Sequence, residues 1–409
     1  MSQSTFLPDV LCPSIARGRG DGDPLFAPLV QSTTYARAAI GSDPPHQYSR
    51  VSNPTVSELE SALGTLEGAP AAVTFASGLA AETALFLTLL RAGDHVVCGR
   101  SVYGGTTRLL RQVLSGLGIN TTFVNAVDTG AIARAVRPST RLIFIETPAN
   151  PTLELTDIAS AADIARSAGA LLAVDNTFLT PVLQQPLDLG ADVSVYATTK
   201  SIEGHSLALG GALVSRDADL IERFRFIRKC TGAIQTPFNA WLTLNGLRTL
   251  PVRIRHQSQS AHAIAHWLVR HQAVSAVHYP TLADDAQRSL ARSQHLGAHG
   301  PVVTFEVYGG IDAGRAVARN LRLITLAEHI GSVESLLTHP ATMTHADVPA
   351  EQRCDVGITD GLLRLSVGLE PTQAIIDDLA QALDPLAAAA PACPAITVAS
   401  NKEHLPCPA

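Results

Sequence analysis

Twice between residues 171 and 211 a short apolar run delivers a chemically capable side chain. Residues 171–174 (LLAV) lead into Asp175, and residues 193–196 (VSVY) stop just before Thr198, Thr199 and Lys200. Runs this short and mainly apolar predict strands buried on both faces, as in a parallel sheet covered by helices. In such sheets ligands sit outside the carboxyl ends of the strands. The stretch therefore predicts an acid and a lysine at one rim.

The flanking sequence extends the pattern. Residues 71–75, 95–98, 120–125 and 142–145 predict further strands, and 56–66, 158–168 and a stretch opened by residues 77–80 and running to about 90 predict helices. Their alternation from about 71 to 215 predicts an α/β unit built on a mainly parallel sheet. Residues 233–253 predict a helical connection and 255–271 a helix entering a second unit. There, strands at 300–308 and 361–367 with helices at 311–320 and 371–388 predict a smaller α+β domain. The expected organisation is an extended arm over 1–58, an α/β domain over 59–254, an α+β domain over 255–388, and a loosely ordered tail over 389–409.

Composition narrows the partners. Only 16% of the 409 residues are charged and 46% are hydrophobic, with a mean hydropathy of +0.18, which predicts broad subunit contacts. A net charge of −6 with no lysine or arginine block argues against nucleic acid or an anionic membrane. The best membrane-span candidate is bracketed by Glu82 and Arg91, and the first residues lack a charged region followed by an apolar core, so a cytoplasmic chain is expected. Six cysteines without a C-x-x-C pair predict reduced thiols and no zinc site, and His256, His262, His266 and His271 lack a converging second ligand type.

Lys200 and Asp175 together suit pyridoxal phosphate chemistry, in which a lysine amine forms the Schiff base and a carboxylate keeps the pyridine nitrogen protonated. Either residue alone would read as a surface lysine or a capping aspartate; their convergence favours the chemistry. The series Ser77, Gly78, Leu79 between a strand and a helix offers unpaired N–H groups to a phosphate. Tyr103, beside Gly104 and Gly105, can lay its ring over a heteroaromatic cofactor. Asn150, between prolines at a strand end, can donate to a ring oxygen, although alone it reads as a turn asparagine. Tyr48 and Arg50 can grip a phosphate together, or form a solvated loop. Arg364, among apolar neighbours, needs an anion: an amino acid's carboxylate, or an internal salt bridge.

With these residues in hand the chain resembles the cystathionine and methionine metabolism family of pyridoxal phosphate enzymes, across roughly residues 25–388. YSRVSNPT, FASGLAAE, VYGGT, ETPANP, AVDNTF, TTK followed by GH, HPATMTH and GLLRLSVGLE occur in the family's order. The resemblance implies the fold of type I pyridoxal enzymes (aspartate aminotransferase-like) and a homotetramer of two catalytic dimers. It implies Lys200 as cofactor lysine and proton shuttle, Asp175 as the pyridine-nitrogen partner, and Tyr103 as the stacked ring. Gly78, Leu79 and Thr199 would hold the phosphate with the neighbouring subunit's Tyr48 and Arg50. Asn150 would touch the ring hydroxyl and Arg364 the substrate carboxylate.

Two positions depart from the family: Ala197 stands where serine is usual, and so does His329. Glu328, an acid in resembling cystathionine enzymes, would face a distal ammonium, and Gly105 stands where methionine γ-lyases carry cysteine. The resemblance thus implies γ-elimination on cystathionine or a similar γ-substituted amino acid. γ-Replacement on an acylated homoserine is the rival, with methionine γ-lyase, cystathionine β-lyase or a non-catalytic regulator further off.

Overall fold

The computed structural model describes residues 8–387 except 19, 347 and 349, together with 397–398. Seven strands form the first sheet: β1 (Ala72–Phe75), β2 (His95–Gly99), β3 (Asn120–Val124), β4 (Thr140–Glu146), β5 (Leu171–Asp175), β6 (Val193–Tyr196) and β7 (Gly211–Val214). They lie in the order β1-β7-β6-β5-β4-β2-β3. All run the same way except β7, which pairs antiparallel with β1 on one side and β6 on the other. The carboxyl ends of β1, β2, β4, β5 and β6 therefore share one rim.

The apolar runs behave as expected of strands covered twice. In β2, Val96 and Cys98 pack with Phe86 and Phe144 on one face, while Val97 joins Ile143, Ile158 and Leu172 on the other. The helix Ile158–Ala168 keeps the limits read from sequence. Asp157 accepts from the Ser160 N–H at 3.0 Å at its start, and Gly169, at φ 65°, ends it.

The second sheet holds β8 (Val274–His278), β9 (Val302–Val307), β10 (Thr325–Leu326), β11 (Leu336–Thr338), β12 (Leu362–Ser366) and β13 (Thr397–Val398), in the order β10-β11-β12-β9-β8-β13. Its middle pairings, β11 with β12, β12 with β9 and β9 with β8, are antiparallel. Of the tail beyond 388, only β13 is described, paired parallel with β8; the expectation of loose order otherwise falls outside the described residues. No described helix is long and apolar enough to cross a membrane.

Two local readings change. The helix expected from Arg255 begins at Leu250, after the separate helix Pro237–Leu247, because Pro251 has no N–H to give and is tolerated only in a first turn. The glycine loop at 104–105 opens a helical run, Gly104–Arg108 followed by a wider turn at Leu109–Leu114. Cys12, Cys98 and Cys230 are free thiols; Cys393 and Cys407 lie outside the described residues.

Close backbone approach joins sheet and site at Gly211. A Cβ there would stand 2.2 Å from Ser77 O and 2.8 Å from Gly78 Cα. Gly211→Ala is thus expected to cost about 1–3 kcal/mol by overpacking and to disturb the N-terminus of the helix Gly78–Leu89. A thermal melt that matches the parent would contradict this packing.

Candidate active site

At the rim, Glu146 and Asp175 end adjacent strands and are register partners. Both are buried. The Thr177 N–H donates to Asp175 Oδ1 at 2.9 Å, yet burial still lifts the Asp175 carboxyl to about 6. Glu146 rises well above the ordinary range through burial and then the charge of Asp175, while its Oε2 accepts from the Tyr103 N–H at 2.6 Å. That bond fixes the loop from which the Tyr103 ring projects. The ring is 39% exposed, so a face remains open for stacking.

Lys200 follows β6 in a tight turn in which the Gly204 N–H donates to Lys200 O at 2.8 Å. Arg253 donates to Ser201 O at 2.9 Å and to Gly246 O at 2.7 Å, pinning the next residue to the helix Pro237–Leu247. The Lys200 amine is brought down to about 8, first by burial and then by the Arg364 charge, against a pull from Glu328. Its Nζ lies 3.2 Å from His329 Nδ1.

Arg364 enters from β12 of the second sheet. It is 3% exposed, and its guanidinium donates to Asn150 Oδ1 (2.8 Å), Thr338 Oγ1 (3.2 Å) and His329 O (3.3 Å). All three acceptors are uncharged, and Nε is buried without a partner. The salt-bridge reading of Arg364 is therefore not realised: no described carboxylate hydrogen-bonds it. A buried guanidinium with a spare donor is a seat for an incoming carboxylate. Burial lowers it to about 10, and Glu146, Glu328 and Tyr103 oppose that shift. Glu328 itself is exposed.

The helix Gly78–Leu89 starts against the same turn. Ser77 Oγ accepts from the Ala80 N–H at 3.1 Å and Ser77 O from the Ala81 N–H at 3.1 Å, which leaves the Gly78 and Leu79 N–H groups unspent. A Cβ at Gly78 would lie 2.8 Å from Ala197 Cβ, so the helix start presses on the residues leading to Lys200. Thr199 Oγ1 exchanges hydrogen bonds with Gly210 O and N, each 3.0 Å, and Thr198 Oγ1 is buried without a partner. Unspent amides at a helix start, a depressed amine and a buried carboxyl at a strand end fit a phosphorylated pyridine aldehyde.

The single chain does not gather every expected residue. Arg50 donates to Lys229 O at 2.7 Å and stacks on the Tyr48 ring, its Cζ 5.3 Å from the centroid. Neither residue hydrogen-bonds a member of the cluster. Sequence reasoning also passed over Glu82, Glu146, Thr177 and Thr338. The signal for Glu82 was a lone acid in an apolar helix; it is buried and raised to about 8, by burial and then by Asp175.

The residues at this rim fit a pyridoxal-type cofactor. The model of the Cys/Met metabolism PLP-dependent enzymes matches residues 17–384. The chain is 43% identical to a cystathionine γ-lyase of Bacillus subtilis over 357 residues, 87% of this chain and 93% of that protein. It is 41% identical to a cystathionine β-lyase of the same organism over 360 residues, 88% of this chain and 92% of the other. The solved structure of a cystathionine γ-synthase from Xanthomonas oryzae, in complex with aminoacrylate and cysteine, superposes with a TM-score of 0.90 at 39% identity, covering 93% of this chain and 98% of that one. The chain belongs to the Cys/Met metabolism PLP-dependent enzymes, with their type I α/β fold and their cofactor.

The depressed amine has a measurable signature. A neutral amine is needed to attack an aldehyde, so imine formation by the apoprotein should rise with pH through about 8. A midpoint above 10, followed by absorbance, would contradict the buried setting of Lys200.

Proposed function

We propose that this enzyme carries out γ-elimination on cystathionine or a similar γ-substituted L-amino acid; with cystathionine, water is taken up and cysteine, 2-oxobutanoate and ammonia are released. The observation that carries the reading is a pair of opposite charges flanking Lys200. Arg364, buried without a carboxylate, suits the substrate's α-carboxylate, and Glu328, exposed and near enough to act on both Lys200 and Arg364, suits a distal ammonium. Gly105 supports it: a Cβ there would come 2.4 Å from Tyr103 Cε1, so this placement of the ring has no room for a side chain at 105.

Pyridoxal phosphate, when bound, supplies the sink for electrons released at the α-carbon. Lys200 would hold its aldehyde carbon covalently and, once displaced by substrate, take the α-proton on Nζ and carry protons between carbons. Asp175, buried at the end of β5, would keep the pyridine nitrogen protonated. Gly78 and Leu79 N–H groups would receive the phosphate, joined by the Thr199 hydroxyl once it turns its proton from Gly210 O to the phosphate, and Tyr103 would cover the ring. The Asn150 amide, with its oxygen committed to Arg364, has its NH2 left for the ring oxygen. Tyr48 and Arg50, exposed here, would serve a neighbouring subunit's phosphate, in a homotetramer whose N-terminal arm spans residues 1–58. Residues 59–254 would form the cofactor domain and 255–388 the second, in a cytoplasmic enzyme.

γ-Replacement on an O-acylhomoserine by cysteine or sulfide is the second reading, favoured by the likeness to the γ-synthase structure. A product assay separates them. Purified enzyme with cystathionine should yield 2-oxobutanoate, and Lys200→Ala should abolish this by orders of magnitude. Cystathionine made from O-succinylhomoserine and cysteine, without appreciable breakdown, would replace the first reading with the second. Arg364→Ala should raise KM roughly ten- to a hundredfold, the worth of a charged hydrogen bond of about 1.5–3 kcal/mol; an unchanged KM would remove the carboxylate seat.

A further inference from the structure

We propose that His329 is a positioning residue for Lys200: its Nδ1 receives the amine whenever Lys200 is not bonded to the cofactor, and so sets the direction and proton affinity of that amine. The inference rests on the reading of Lys200 as the cofactor lysine and adds a residue that the family resemblance does not supply, since serine stands at this place in the resembling stretch.

The 3.2 Å contact between Lys200 Nζ and His329 Nδ1 is held from both sides. Gly331, at φ 75°, lies so close to the turn after Lys200 that a Cβ would come 2.2 Å from Ser201 Oγ and 2.5 Å from Ser201 N. Only glycine allows that approach. The Gly331 N–H donates to Ser366 Oγ at 2.8 Å, Gln257 Nε2 donates to Ser332 O at 2.6 Å, and Ser206 Oγ donates to Ser332 Oγ at 3.0 Å. Arg364 donates to His329 O at 3.3 Å. The segment is thereby clamped to β12, to the helix Leu250–Leu268 and to the lysine turn, with the ring aimed at the amine.

The charges around the ring decide its role. Lys200 faces it from the turn after β6, Arg364 from β12, and exposed Glu328 precedes it in the chain. Burial and then the two cations lower the imidazole to about 4, so it is neutral at working pH. A protonated Lys200 has donors only; Nδ1 is then the acceptor and the ring proton sits on Nε2, which is buried without a partner. An acceptor facing Nζ favours the ammonium form and opposes the fall caused by burial and Arg364. When Lys200 takes the α-proton, the new N–H bond forms at an amine already facing a lone pair, and the proton remains on Nζ.

The test uses the full-length apoprotein and pyridoxal 5′-phosphate, reading imine absorbance against pH for the parent, His329→Ala and His329→Asn. Loss of one hydrogen bond to the ammonium should move the midpoint in His329→Ala down by about half to one pH unit. The acid limb of kcat should move with it, while KM changes less than twofold. His329→Asn, whose amide oxygen can accept, should restore the midpoint. A midpoint in folded His329→Ala equal to the parent's, or His329→Asn behaving as His329→Ala, would overturn the proposal. The titration involves no substrate, so it stands whichever product the enzyme makes, whereas a parent Lys200 that forms no imine at any pH sinks the underlying reading.

Discussion

Parallel pairing of β4 with β5 is the constraint from which the rest of the site follows. With Glu146 level with Asp175, two carboxyls end on one buried rim, and Glu146 is held protonated by burial and then by the charge of Asp175. The loop after β4 carries Asn150, which meets Arg364 of the second sheet. Side chains from the second sheet then complete the arrangement through Arg364. The geometry of the rim follows from strand direction, and the one reversed strand described in the first sheet, β7, lies on the side of β6 away from β5, where it leaves the pairing of β4 with β5 intact.

Burial gives the pocket a common electrostatic tendency. Asp175, Glu82 and Glu146 are all pushed up, and Lys200, Arg364 and His329 are all pushed down. Each of these six groups is moved toward its neutral form because water is scarce around it. A doubly charged phosphate ester and a zwitterionic amino acid bring the opposite charges that such a site lacks. Binding of such groups would therefore be coupled to ionisation in the site.

Much of this was legible in the sequence because the signals were local. The mainly apolar runs before Asp175 and Lys200 are strands for the reason the pattern gave, and Ile158–Ala168 carries its cap at Asp157 and its stop at Gly169. What escaped depended on distance or on proline placement. Pro251 turns one expected helical connection into two helices, and β7 pairs not only with β6, which precedes it, but with β1, remote from it in sequence. The partnership of His329 with Lys200 spans 129 residues and relies on a glycine contact that no periodicity announces. The neutral surroundings of Arg364 were equally invisible, since its acceptors come from three separate segments.

Asn150 has a side chain with two chemically opposite ends, and Arg364 chooses between them. A guanidinium can only give hydrogen bonds, so the amide must offer it the oxygen and turn the nitrogen the other way. Whatever oxygen meets that nitrogen is biased toward carrying negative charge. The polarity of one lobe's arginine is thus transmitted, through a single planar group, to an atom it never touches.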